Sequence, residues 1–244
     1  MLKKISIFCC ALLTGCVHTD WFASSDFVYI PVNTENYKIA TWQKITNPKN
    51  NHIHIYIEGD GNAYNAYGYP TSDPTPHGTF VRNLAQQDNF ENVVYMARPC
   101  QFIMDDNCEQ SDWTIGRFSA DIINAQSDAI KQIVKNKKIT LIGYSGGAMV
   151  SGLVIKQHPE IKFEKWVTIA GVLNHKQWTE YFGDASLTKS LDMDSLPNIH
   201  QVHFVGEKDK IVPYQLSKQW TNDKDIILVP KATHDDFGEI KLFD

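Results

Sequence analysis

The stretch Leu141 to Val150, LIGYSGGAMV, places one serine among three glycines, Gly143-Tyr144-Ser145-Gly146-Gly147. Ile139 to Ile142 is a short apolar run that reads as a strand, and Ala148 to Gln157 reads as a helix. A serine between a strand and a helix sits on a tight, strained turn at the edge of a sheet, and flanking glycines leave room where side chains would clash. The amides at the start of that helix point towards Ser145 and favour negative charge developing on a bound oxygen. Ser145 is therefore a candidate nucleophile, an ordinary turn serine being the alternative. A serine hydroxyl is a weak nucleophile and needs a base, and the base needs an acid to orient it.

Outward from this turn, strands alternate with helices. Asn51 to Ile57, Val93 to Ala97, Trp166 to Ala170, Ile199 to Val205 and Ile226 to Val229 read as strands. Thr79 to Gln87, Ser119 to Lys135, Tyr214 to Trp220 and Asp236 to Leu242 read as helices. Such alternation implies a mostly parallel sheet covered on both faces. Phe27 to Pro31 and Tyr37 to Ile45, joined by a turn at Asn33 to Asn36, read as an antiparallel edge.

Base and acid both follow Ser145. Asp209 lies in the loop Gly206-Glu-Lys-Asp-Lys-Ile-Val-Pro213, just after a strand, and His234 lies just after the last strand. All three residues fall at the carboxyl ends of expected parallel strands, where open α/β sheets place their sites. Asp184, Asp192 and Asp194 compete with Asp209 for the role of the acid.

At this point the chain resembles the α/β-hydrolase superfamily, from about Val28 to its end, and within it a group of exported bacterial hydrolases with EGDG, then RPCQ and a second cysteine. The resemblance implies an α/β-hydrolase fold, a mostly parallel twisted sheet with helices on both faces and a small cap insertion before Ile199. It implies Ser145 as nucleophile, His234 as general base then acid, and Asp209 as the carboxylate that holds the imidazole. It implies an oxyanion hole from the backbone amide of Gly146 and one from the loop Glu58-Gly59-Asp60-Gly61-Asn62. Asp60 is the expected second donor, with Gly61 one residue on. Glu58 stands where family members often carry histidine, and an acidic side chain pointing at that hole would oppose it. The expected activity is cleavage of a carboxylic ester, or of a thioester or amide, through an acyl-enzyme. An acyltransferase with the same triad, or a catalytically silent binding lipoprotein of the envelope, are the alternatives. No metal or organic cofactor is implied.

The beginning of the chain reads separately. Lys3 and Lys4 precede the apolar run Ile5 to Leu13, too short to span a bilayer as a helix, and Leu13-Thr-Gly-Cys16 resembles a lipobox. The expected organisation is a lipoprotein signal peptide at 1–15, a tether at 16–26 and the hydrolase domain at 27–244. Cys16 would carry the lipid, and acyl chains anchor a protein without a spanning helix. Val17, rather than Asp, after the cysteine implies the outer membrane, facing periplasm or surface. Of five cysteines, Cys100 and Cys108 remain in the body of the chain, and in an exported protein they read as a disulfide; no nearby Cys or His completes a zinc site. The net charge of −5 argues against nucleic acid as a partner. The expected partners are a small acyl-ester substrate and the membrane.

His52 and His54 share one strand face but no third ligand accompanies them, so no metal is assigned. Tyr64, Tyr67 and Tyr69 are candidates for a pocket wall or a surface loop. Trp178, Tyr181 and Phe182 fall in the cap position, and Asp235-Asp236 reads as a solvated helix start able to tune His234.

Overall fold

The computed structural model describes residues 19–22 and 25–243. The expected signal peptide and Cys16 lie outside them. Ten strands and five α-helices are present among the described residues. Eight strands form one sheet in the order β1 (Val28–Tyr29), β4 (Thr41–Ile45), β6 (Asn92–Met96), β5 (His52–Ile57), β7 (Lys138–Tyr144), β8 (Phe163–Ile169), β9 (His200–Gly206) and β10 (Ile226–Val229). β6 to β10 run parallel, while β4 and β1 form the antiparallel edge. This is an α/β-hydrolase fold.

The strands read as near-continuous apolar runs because both faces are covered. In β5, Ile53, Ile55 and Ile57 enter one core and Tyr56 the other; in β8, Trp166 enters the first, and Val167 and Ile169 the second. The first core is closed by α2 (Ala120–Val134) and α3 (Gly146–Gln157). α2 starts where the Ser119 side chain accepts from the Ile122 amide. α3 is buried at every position from Gly146 to Ile155, which is why it is apolar all round. The second core is closed by α1 (Phe80–Gln87) and by Phe237.

Two expectations are corrected. Tyr37 to Ile45 is not one strand: β3 (Lys38–Ile39) pairs with β2 (Val32–Asn33) in a separate hairpin, and after Ala40 the chain changes partner to β6. Asp236 to Leu242 is not helical. Gly238 takes a positive φ of 59° and its amide bonds back to Asp236 Oδ1, a turn that no helix can pass through. Within the stretch expected as a tether, Phe22 is buried against Phe27, Trp42 and Tyr95, and Arg82 donates to the Trp21 carbonyl. Two aromatic rings that find a core are held by it. The cap position holds an unforeseen helix, α4 (His175–Phe182), capped by Asn174 Oδ1 on the Gln177 amide and ended by Gly183 in the left-handed region.

Candidate active site

Ser145 leaves β7 in a strained conformation, φ 51° and ψ −121°. The turn is fixed from outside: the Ser145 amide donates to Ile169 O at 3.0 Å, and Ser145 O accepts from Ala148 and Val172. The glycines follow from close approach. A Cβ on Gly147 would stand 2.6 Å from the Glu58 and Ile57 carbonyl oxygens, and one on Gly143 would meet Ala148 Cα at 2.7 Å. On Gly146 it would collide with the Asp60 carboxylate.

β9 and β10 deliver the other two residues. The Lys208 amide donates to Ala232 O at 2.8 Å, tying the Asp209 loop to the His234 loop. Asp209 Oδ1 accepts from the Ile211 and Val212 amides at 2.8 and 2.9 Å. Its Oδ2 accepts from His234 Nδ1 at 2.9 Å, which leaves His234 Nε2 to accept from the Ser145 hydroxyl at 3.0 Å. The Asp209 carboxylate is sealed from solvent, while the imidazole is 16% exposed. Asp192 instead accepts from the His175 and Lys176 amides at the start of α4, and Asp194 pairs with Lys156. Asp209 is the carboxylate that reaches His234.

The loop after β5 faces Ser145 from the other side. Glu58 does not point at the turn. It is buried, its Oε2 accepting from Tyr95 at 2.7 Å and its Oε1 from the Gly59 amide at 2.9 Å; burial pushes its carboxyl up. Asp60 is answered by two arginines: its Oδ1 accepts from Arg98 and its Oδ2 from Arg117 at 2.6 Å. Burial opposes ionisation of Asp60, but the two guanidiniums outweigh it and hold the carboxyl below its usual range. Neither the Asp60 nor the Gly146 amide donates to a protein group among the described residues.

The segment Arg98-Pro-Cys-Gln101 holds this loop. Gln101 Oε1 accepts from the Arg98 amide at 3.0 Å, and Gln101 Nε2 donates to Gly59 O at 2.9 Å. Cys100 and Cys108 are joined by a disulfide. Sequence reasoning names Arg98 and Gln101 only within RPCQ and gives neither them nor Arg117 a role, yet a signal existed. A carboxylate beside a buried turn needs a cation, and the chain has only three arginines, Arg82, Arg98 and Arg117.

These groups open on a cleft of about 520 Å³ walled by Tyr64, His77, Phe80, Phe118, Trp178 and Leu187, among others. Trp178 Nε1 donates to Ile211 O at 2.7 Å, pinning α4 over the Asp209 loop. Tyr67, Tyr69, Tyr181 and Phe182 stand exposed outside it. Asp235 lines the cleft and is exposed, without a bond to the His234 ring. The histidine pair on β5 is engaged elsewhere: His52 bonds Thr140 and Glu164, and His54 bonds Asp88.

The family model described as Serine hydrolase (FSH1) matches residues 85–234, well over half of the chain. No match was found among curated proteins. Among solved structures, an α/β serine hydrolase without lid from Xanthomonas campestris is 15% identical, with a TM-score of 0.55 over 86% of each chain. An α/β fold family hydrolase from Bacillus anthracis is 12% identical, TM-score 0.55, over 86% of this chain and 94% of that one. Est1E from Butyrivibrio proteoclasticus, solved with ferulic acid, is 12% identical, TM-score 0.57, over 84% of this chain and 90% of that one. At these identities the likeness concerns the fold.

Proposed function

The chain belongs to the FSH1 serine hydrolase family, and on that premise we propose that it cleaves a carboxylic ester through an acyl-enzyme on Ser145. The observation that carries this reading is the continuous chain Asp209–His234–Ser145, with links of 2.9 and 3.0 Å. His234 Nε2 takes the Ser145 proton as Oγ attacks the ester carbonyl. Asp209 accepts from Nδ1–H, which fixes the tautomer and stabilises the imidazolium. The tetrahedral oxyanion is held by the Gly146 and Asp60 amides, which have no protein acceptor among the described residues. The imidazolium then protonates the leaving alcohol. Water, activated by the same histidine, attacks the acyl carbonyl and frees Ser145.

The sequence before residue 17 supports an exported protein anchored by lipid on Cys16, with the cleft in the cell envelope. Labelling cells with a lipid precursor tests this: label lost in Cys16→Ala supports it, and label retained refutes it.

Turnover of an aryl ester tests the mechanism. A burst of aryl alcohol equal to the enzyme concentration, followed by a slower steady state, is the mark of an acyl-enzyme. Ser145→Ala should abolish the burst, and Asp209→Asn should cut kcat by about 10⁴, as expected when the imidazole is held in the wrong tautomer. An undiminished rate in Ser145→Ala refutes the reading. An added acceptor alcohol that captures the acyl group in preference to water would identify a transferase.

A further inference from the structure

Arg117 is buried, 6% exposed, yet it lines the cleft beside Ser145. Its guanidinium is fixed at two points. Nε donates to Thr114 O at 3.0 Å, and Nη1 donates to Asp60 Oδ2 at 2.6 Å. Its Cζ lies over the Tyr64 ring, 5.4 Å from the centroid. The remaining nitrogen, Nη2, donates to no protein group among the described residues and is not among the sealed, unpartnered polar atoms. A buried cation thus presents two unspent N–H donors to the cleft.

The carboxylate that Arg117 meets is not its own alone. Asp60 is one carboxylate shared by two guanidiniums, Arg98 and Arg117. Glu58 accepts from Tyr95 and the Gly59 amide and lies on the Arg98 side, where it acts on that guanidinium and makes no bond to Arg117. Asp235, the other acid on the cleft wall, is exposed, so solvent screens it far more than it screens Arg117. The Asp60–arginine cluster stands against the nucleophile turn, since Asp60 Oδ1 occupies the space a side chain on Gly146 would need and Arg98 Nη1 would lie 3.1 Å from that side chain's Cβ. Twenty of the 23 basic residues are lysines, so arginine at two of its three positions here is a selective use of the planar fork that matches a carboxylate. One free –NH₂ on a guanidinium already held in place suits a single planar carboxylate.

We infer that Arg117 is a carboxylate receptor in the cleft and that the ester cleaved carries a free carboxylate, as in a monoester of a dicarboxylic acid. The inference rests on the proposed ester hydrolysis for the identity of the ligand as substrate. The receptor itself can be read without turnover. Because Nε and Nη1 are already tied down, little freedom is lost on binding.

The test uses Ser145→Ala, titrated calorimetrically with adipic acid monoamide and with hexanamide, which share their chain length and differ in the terminal carboxylate. The acid should bind at least tenfold more tightly, and Arg117→Gln added to Ser145→Ala should erase the difference. Equal affinities overturn the inference. With the active enzyme, the ratio of kcat/KM for the aryl monoester of adipic acid over aryl hexanoate should exceed about ten. It should fall at least tenfold in Arg117→Gln and partly recover in Arg117→Lys. A ratio near one in the wild type, or one unmoved by Arg117→Gln, overturns the inference while leaving ester hydrolysis intact. Absence of turnover of both esters, with the acid still preferred in the titration, refutes the proposed hydrolysis and leaves the receptor standing. If Arg117→Gln does not fold, the wild-type ratio and the Ser145→Ala titration decide alone.

Discussion

Gln101 Nε2 donates to the Gly59 carbonyl oxygen at 2.9 Å, and this bond ties the loop after β6 to the backbone that faces Ser145. The same side chain accepts from the Arg98 amide at 3.0 Å and is 2% exposed. Gln101→Leu keeps approximate volume and leaves a buried carbonyl and a buried amide unpaired. Each costs about 1–3 kcal/mol. At about 2–4 °C per kcal/mol for a chain of this size, Tm should fall by at least about 4 °C. The amide at Asp60 loses its fixed aim, so kcat should fall at least tenfold with KM little changed. A loss confined to KM would contradict the role given to this bond.

Gly146→Ala tests the closeness of the two oxyanion loops. A methyl there would displace the Asp60 carboxylate from between Arg98 and Arg117. The expected outcome is a fall in kcat of about 10²–10³, the effect of losing one oxyanion donor, with the fold retained by circular dichroism. Activity within a factor of two of wild type would show that Asp60 is not where the hydrolysis needs it.

The disulfide between Cys100 and Cys108, eight residues apart, flanks the same segment. Chain entropy assigns a loop of this size about 2.5 kcal/mol. The double variant Cys100→Ser, Cys108→Ser should therefore melt about 5–10 °C lower. An unchanged Tm, or reduction of the wild type without a mass increase of ~2 Da, the two hydrogens that thiol–disulfide chemistry adds, would contradict the bond.

His203 on β9 supplies a pH dependence away from the site. It is fully buried, with Nδ1 bonded to Thr168 Oγ1 at 2.8 Å, and burial pushes its pKa down to about 4, Asp225 opposing weakly. Between pH 6.5 and 4 the unfolded chain binds a proton here that the folded chain refuses. Stability from this residue is thus complete above pH 6.5 and lost as pH falls towards 4, by about 3 kcal/mol in all. Urea midpoints between pH 7 and 4 should fall more steeply in wild type than in His203→Gln. Parallel profiles would contradict the assignment.

Most of the strands and the order of the site residues were legible because both rest on local signals. Apolar runs mark buried parallel strands, and Gly143, Gly146 and Gly147 mark a turn with no room for side chains. The C-terminal segment was misread because Phe237 and Ile240 imitate a helical spacing, whereas Phe237 is buried by a turn at Gly238. Nothing local to Phe22 shows that Trp42 and Tyr95 wait for it. The role of the arginines at Asp60 was missed for the same reason: Arg98 lies 38 residues from Asp60 and Arg117 57 residues away. Such pairing is decided by the sheet order, which brings the ends of β5 and β6 together.

The central claim is that Ser145 is activated by His234. A fluorophosphonate probe, followed by peptide mass spectrometry of the adduct, tests it most directly. The account predicts a single adduct on Ser145, absent in Ser145→Ala and slowed at least a hundredfold in His234→Ala. A folded wild-type protein that the probe leaves unlabelled, or labels elsewhere, would contradict it.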